Sequence, residues 1–148
     1  MNKKRLLKLA DLLEADAKNR RGIKFDLSTW GETPNIAAFT EPSCNTTACA
    51  IGLACVSGVF KRGGLSFKVN EEGSIIPILE STVTNYWGEE TSTLEEFDAV
   101  DQFFDLEDRE STFLFSEEEY PRAKRKGAEG ERFVAKRIRD FVAGKVHP

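Results

Sequence analysis

The chain has 148 residues, of which 40% are hydrophobic and 31% charged, and its formal net charge at pH 7 is -4. This length predicts a single domain over residues 1–148. The composition argues against a disordered chain, and no apolar run reaches the roughly 18 residues that a membrane span needs. Three cysteines, an odd number, favour a reducing compartment over a disulfide framework, and the predicted location is the cytoplasm.

Charge is distributed unevenly along the chain. Residues 1–70 hold 11 Lys and Arg against 6 Asp and Glu, residues 71–120 hold 1 against 16, and residues 121–148 hold 9 against 3. Two interpretations stay open. Either both basic ends fold against the acidic middle, or the acidic middle forms an exposed face that meets a basic partner.

Apolar residues recur at helical spacing in three segments, which predict helices at about 2–18, 94–106 and 129–143. A further helix, the second along the chain, is predicted from the capping side chains of Asn45–Thr47 to about Phe60. The second helix is apolar on all sides and is therefore expected to be buried on all sides. Its small residues are spaced four apart, Ala48 with Gly52 and Ala54 with Gly58, and should let neighbouring backbones approach closely. The predicted fold is α+β: a mostly helical domain with a central buried helix and a small antiparallel β-hairpin.

The hairpin is predicted from two β-prone runs, Leu65–Val69 and Ser74–Leu79, which flank the turn residues Asn70–Gly73. Pro77 has no N–H group to donate, so it suits only an edge position. Residues 81–87 either continue the sheet or form a loop.

Two local patterns concern the later helices. Thr93 and Glu96 have the spacing of a capping box, which would open the third helix. Residues 122–130 are basic and rich in glycine, and they predict a mobile loop before the last helix.

All three cysteines lie in the stretch CNTTACAIGLACVSGVF, residues 44–60. A structural zinc site needs four ligands, and the single histidine, His147, is the penultimate residue, so neither a metal nor a cofactor is predicted. Cys44 precedes the predicted helix, whose dipole would lower the pKa of its thiol. A cysteine-dependent enzyme therefore stays an alternative, although the sequence offers no obvious base for it.

The start of that helix is the best candidate for binding a small anion. The first N–H groups of a helix have no partner within it and carry partial positive charge, so they can hold a phosphate. The alternative is that the side chains there only cap the helix. The predicted ligand-binding residues are Asn45, Thr46, Thr47, Trp30, Lys61 and Arg62.

A second candidate is the series Asp98, Asp101, Asp105 and Asp108, spaced by three, four and three residues. On one helix these carboxylates would form a stripe with charges about 4.5–6 Å apart along the axis, comparable with the phosphates of a nucleic acid strand. The stripe is either a solvated outer face or a surface that binds a basic partner. An isoelectric point near 5.2 argues against nucleic acid as the partner, despite the basic run at 121–127.

The motif Cys44-Asn45-Thr46-Thr47-Ala48-Cys49-Ala50-Ile51-Gly52, with Trp30 upstream and Leu114-Phe115 and Tyr120-Pro121 downstream, resembles a family of small hypothetical proteins of tailed phages and bacteria. Members typically show Cys-Gly/Asn-Thr-x-x-Cys-x-x-Gly after an upstream tryptophan. The resemblance covers most of the chain. It implies a phage or prophage accessory gene and no established activity.

Together these observations predict a non-enzymatic, phage-type accessory protein for counter-defence or host takeover, which would act by binding. One hypothesis is that it sequesters a nucleotide-like anionic ligand at the helix N-terminus. The alternative is an acidic inhibitor that binds a basic host protein through its carboxylate face. A cysteine-dependent enzyme is the second alternative.

Overall fold

The computed structural model describes residues 1–19, 22–33 and 46–148. The helices in these ranges are α1 (Lys3–Lys18), α2 (Ala50–Ser57), α3 (Glu96–Phe104), α4 (Asp108–Phe115) and α5 (Gly127–Val142). The strands are β1 (Lys24–Phe25), β2 (Gly31–Glu32), β3 (Thr47–Ala48), β4 (Leu65–Val69), β5 (Ile75–Asn85) and β6 (Gly88–Glu95). The α+β class and the central buried helix are confirmed.

Helices α1 and α5 form the largest helix–helix contact of the fold. Leu6, Leu9 and Leu13 of α1 are fully buried, and so are Val134 and Ile138 of α5. At the solvent edge of this contact, the guanidinium of Arg139 on α5 donates to the carboxylates of Asp11 at 2.6 Å and Glu14 at 2.9 Å on α1. Buried apolar side chains, with ion pairs at their solvent edge, thus join two helices that lie far apart in the sequence. We call this contact the seam between α1 and α5.

Helix α2 begins later and ends earlier than the sequence predicts. The N-cap is Cys49, and the helix ends at Ser57 because Gly58 adopts a left-handed conformation with φ 71°. Thr47–Ala48 forms strand β3, which pairs in parallel with β1 and antiparallel with β2. The prediction of a helix entry at Asn45–Thr47 was therefore wrong for Thr47, because sheet partners satisfy its backbone, whereas Asn45 lies outside the described residues.

The two glycines of this region differ in their roles. A Cβ built on Gly52 would lie 1.7 Å from the carbonyl oxygen of Trp30, so the predicted close approach is confirmed there. A Cβ on Gly58 would meet nothing within 4 Å, so the same prediction was wrong for Gly58. That glycine serves the positive φ that ends the helix.

The predicted hairpin is present and is part of a larger sheet. The side chain of Asn70 accepts bonds from the backbone N–H groups of Glu72 at 3.0 Å and Ser74 at 2.9 Å, which shapes the turn between β4 and β5. Strand β5 continues to Asn85 and pairs with β6, so residues 81–85 extend the sheet. Pro77 lies in the central strand, but pairing with β6 starts only at Ile78. Position 77 is therefore locally an edge position, as predicted, and the missing N–H group breaks no bond there.

The capping box predicted at Thr93 and Glu96 was wrong, because Thr93 belongs to β6 and α3 begins without a side-chain cap. A reciprocal capping box opens α4 instead, between Glu107 and Glu110. The loop predicted over 122–130 was also wrong. Residues 122–124 form a turn of 3-10 helix, and the backbone of Arg125 accepts a bond of 3.0 Å from the N–H of Leu27.

Candidate functional site

The threonines proposed to hold an anion lie in the small sheet beside α2. Thr46 is fully buried, its carbonyl accepts from the N–H of Lys24 at 2.8 Å, and its hydroxyl lies 3.3 Å from the hydroxyl of Thr33. Thr47 is half-buried and pairs with Lys24 and Glu32 in β3. Neither threonine lies at the first turn of a helix, so the free N–H groups that motivated this site are not beside them.

At the actual N-terminus of α2, groups of the protein itself form the hydrogen bonds. The sulfur of Cys49 accepts from the N–H of Gly52 at 3.5 Å, and the N–H of Cys49 is close to the carbonyls of Thr29 and Trp30. Lys61 and Arg62 are in the 3-10 turn that follows the opposite end of α2. The structure therefore does not bring this basic pair together with the threonines.

A cavity of about 410 Å³ lies beside Trp30. The indole ring packs edge-on against Phe97 with the ring centroids 4.9 Å apart, and Cys49 is part of the cavity wall. Among the described residues that line it, the charged ones are Glu96 and Glu117. An anionic ligand in this cavity would meet negative charge.

The described cysteines are poor candidates for a nucleophile. Cys49 and Cys55 are buried, and burial raises the pKa of Cys49 to about 11 and that of Cys55 still further above its usual range. Both thiols are therefore protonated at neutral pH, whereas the thiolate is the reactive form. Cys44 lies outside the described residues.

Residues 1–19, 22–33 and 46–148 offer neither a metal site nor a membrane-spanning helix. No group of three or more His, Cys, Asp or Glu side chains in these ranges is placed to hold a metal ion. No helix in the same ranges combines the length and apolar character needed to cross a membrane.

The prediction that the four aspartates form a stripe on one helix was wrong. Asp98 and Asp101 are on α3, Asp105 ends that helix in a left-handed conformation with φ 54°, and Asp108 is the first residue of α4. Asp98, Asp101 and Asp105 nevertheless line a common shallow groove of about 310 Å³ between Leu94 and Leu106. The break at Asp105 separates Asp108 from this groove.

The members of this series differ in their surroundings. Asp98 and Asp108 are exposed, whereas one carboxylate oxygen of Asp101 is buried and has no hydrogen-bond partner among the described residues. Burial raises the pKa of Asp101, an effect that a hydrogen bond with Ser111 opposes. The carboxylate of Asp105 lies 2.8 Å from the N-terminal ammonium group. Asp98 and Asp108 are thus the exposed members for which the described part of the chain shows no ion pair.

Among the described residues, few ion pairs use an acid of the acidic segment, residues 71–120. Of the nine ion pairs in the described part of the chain, three use an acid of this segment, namely Asp105, Glu95 and Glu117. The other six connect basic residues with acids of residues 1–70 or 121–148, as in Lys126 with Asp26. The two basic ends therefore mainly neutralise acids within those ends.

Among the described residues, the most exposed aromatic side chains form a pair that was not among the predicted site residues. Tyr86 and Trp87, which connect β5 and β6, are 94% and 90% exposed, and their rings contact each other at a centroid distance of 5.5 Å. Their position between two β-prone runs rich in Thr and Ser was visible in the sequence. That pattern would have indicated an aromatic hairpin tip if the residues on both sides of it, 81–85 and 88–93, had been assigned to strands.

The chain was compared with protein family models, with curated proteins and with solved structures. None of the three comparisons returned a match. The resemblance to small phage and bacterial proteins, which depends on the cysteine–threonine motif, therefore stays a prediction.

Proposed function

We propose that this protein is a non-enzymatic binding protein that recognises a basic surface of a partner protein through its acidic segment. The observation that carries the proposal is the pairing pattern: the basic ends use most of their ion pairs on acids outside residues 71–120. Because exposed charges of one sign attract an oppositely charged partner over a long range, this segment favours encounter with basic proteins.

The local surroundings of the carboxylates support the same proposal. Glu72, Asp98, Asp108 and Glu118 are exposed and belong to four different elements or turns, so the charge extends across much of the segment. Exposed carboxylates lose little hydration until a partner covers them, so they contribute to association more than to folding.

The anionic-ligand hypothesis has less support. Its threonines are in a sheet, its lysine and arginine follow the far end of α2, and the cavity beside Trp30 is lined by Glu96 and Glu117. Given the resemblance to phage proteins, the partner we propose is a basic host protein in the bacterial cytoplasm. Its binding would block that protein in counter-defence or host takeover.

The test is affinity capture from bacterial lysate with three forms of the full chain. They are the wild type, the triple variant Asp98→Asn, Asp108→Asn, Glu118→Gln, and a control that removes three exposed acids elsewhere, Asp11→Asn, Glu32→Gln, Glu129→Gln. We expect a protein that the wild type and the control retain and the acidic-segment variant loses. That protein must then bind in purified form, with a Kd that rises with salt concentration.

Equal retention by all three forms would contradict the proposal, and so would a purified complex whose affinity is insensitive to salt. The melting temperatures of the three forms provide the folding control. Because every replaced carboxylate is exposed, each variant should melt within a few degrees of the wild type.

A further inference from the structure

The distal part of the β5–β6 hairpin extends beyond the rest of the sheet. Pairing of β4 with β5 ends at Leu79, so from Glu80 to Asn85 strand β5 is paired with β6 alone. Residues Gly88–Thr93 of β6 are all exposed, although alternate side chains of a strand point to opposite faces. We call residues 80–93 the hairpin arm. It is a two-stranded ribbon about 20 Å long, from the rise of about 3.3 Å per residue.

The two residues at the tip of the hairpin arm are unusual for a two-residue connection between strands. Asn85 pairs with Gly88, so Tyr86 and Trp87 alone form the connection. Two-residue connections favour pairs such as Asn-Gly, which adopt positive φ angles easily. Here neither aromatic residue has a positive φ, and Gly88 supplies it with φ 124°. Turn geometry therefore does not account for two aromatic residues at this place.

Core packing does not account for them either. Among the described residues, the large hydrophobic side chains that are exposed are Met1, Tyr86 and Trp87. Trp and Tyr are the residues most enriched among those that dominate the binding energy of protein interfaces. Each offers a large apolar surface with few rotatable bonds and a polar group at its end.

We propose that the hairpin arm anchors a partner protein by inserting Tyr86 and Trp87 into an apolar pocket bordered by Lys and Arg residues. The basic border follows from charge complementarity: the charged residues of the hairpin arm are Glu80, Glu89 and Glu90, and all are acidic. This inference rests on the proposed function, because it specifies how the basic partner would be held.

Other occupants of the tip fit the arm less well. Single-stranded nucleic acids stack on aromatic rings and membrane interfaces accept Trp and Tyr, but phosphates and anionic lipids would be repelled by the carboxylates of the arm. A second copy of the chain would bring two acidic arms together, and like charges on adjacent strands are destabilising. A basic protein surface meets both the aromatic and the acidic side chains favourably.

The experiment places the photo-crosslinking residue p-benzoylphenylalanine at position 86 of the full chain in bacterial cells. The same residue at position 129, an exposed site outside the acidic segment, is the control. We expect a crosslink from position 86 to one protein, at a site where apolar residues are flanked by Lys or Arg, and none to that protein from position 129. The crosslinked protein is then purified for affinity measurements.

The affinity of this partner is compared for the wild type, for Tyr86→Ala with Trp87→Ala, and for the control Thr82→Ala with Thr91→Ala. The control changes a cross-strand pair of the same arm and keeps the aromatic tip. We expect the tip variant to lose at least about tenfold in affinity and the control to lose less than about threefold. Tyr86→Phe with Trp87→Phe should retain most of the affinity.

Several results would overturn this inference. One is undiminished affinity in the tip variant while the acidic-segment variant loses binding, which would leave the proposed function intact. Another is tip-dependent binding to single-stranded DNA or to anionic vesicles, or self-association that the tip variant abolishes. If neither position 86 nor Asp98, Asp108 and Glu118 affects capture of any protein, the inference and the proposed function fail together.

Discussion

The carbonyl oxygen of Trp30 occupies the space that a side chain at Gly52 would need, 1.7 Å from an ideal Cβ. The backbone around this contact has little freedom to move, because the N–H of Cys49 is close to the carbonyls of both Thr29 and Trp30. The contact joins the central helix to the segment before β2, and it requires a glycine.

We therefore expect Gly52→Ala to reduce the free energy of unfolding by about 1–3 kcal/mol, and Gly52→Val by more, as overpacked cores do. Gly58→Ala is the matched control. The added Cβ meets no atom within 4 Å, so the expected cost is that of the positive φ alone, about 1 kcal/mol. Chemical denaturation of the three variants gives the comparison, and a Gly52→Ala variant as stable as the wild type would show that the helix can move away from Trp30.

A second prediction separates the structural role of Thr46 from ligand binding. Thr46→Val keeps the shape of this buried side chain but removes its hydroxyl, so it should destabilise the fold by about 1–3 kcal/mol. Thr47→Val, at a half-buried strand position, should cost less.

Thermal melts of the wild type with mono-, di- and cyclic nucleotides, and with phosphate as the control, should show no rise in melting temperature. A bound nucleotide at a hundredfold excess over Kd would add about 2.7 kcal/mol of stability. A gain of that size, lost in Thr46→Val, would restore the anionic-ligand hypothesis.

A third prediction concerns Arg137, which connects the end of α4 to α5. Its guanidinium donates to the carbonyls of Phe113 at 3.0 Å and Glu119 at 2.8 Å, and it stacks over the ring of Tyr120 at 3.9 Å. Lysine keeps the charge but loses the planar geometry, so Arg137→Lys should cost about 1–2 kcal/mol. Arg122→Lys, at an exposed position, should be neutral. Equal melting temperatures for all three proteins would contradict the role of the stacked guanidinium.

A fourth prediction follows from the raised pKa of Asp101. Because burial raises this pKa in the folded state, the folded protein holds the proton more tightly than the unfolded chain, and ionisation of Asp101 reduces stability as the pH rises above its unfolded value near 4. Asp101→Asn removes this penalty. At pH 7 the variant should be at least as stable as the wild type, and the difference should shrink towards about pH 4.

Urea denaturation at both pH values, with Asp98→Asn as the exposed control, provides the measurement. A large loss of stability in Asp101→Asn at pH 7 would mean that the charged carboxylate makes a favourable interaction, contrary to the direction of its pKa shift.

Helices whose apolar residues repeat at helical spacing over several turns could be predicted from the sequence. Contacts between distant segments could not. Helices α1 and α5 follow their predicted bounds because one face of each repeats at helical spacing. The start of α2 was misplaced because Thr46 and Thr47 have the character of capping residues. Thr47 belongs to a strand because it pairs with Lys24, which lies more than twenty residues earlier in the sequence.

The candidate sites illustrate the same limit. The aspartate series has perfect helical spacing, but Asp105 adopts a left-handed conformation that ends α3, and Asp108 begins another helix. Thr93 and Glu96 have capping-box spacing, but pairing with Glu80 keeps Thr93 in β6. The spacing of residues within a segment indicates which secondary structures that segment can form. Pairing with distant segments decides which of them it adopts.

The seam between α1 and α5 also bears on how the protein is synthesised. The ion pair from Arg139 to Glu14 spans 125 residues, and Leu6, Leu9 and Leu13 are covered largely from the same side. At about 5–20 residues per second, roughly five to twenty seconds pass on the ribosome between completion of α1 and the appearance of α5. During that interval the leucines of α1 lack their final cover. Until translation has passed Phe141, these leucines present an apolar surface of the kind that chaperones bind.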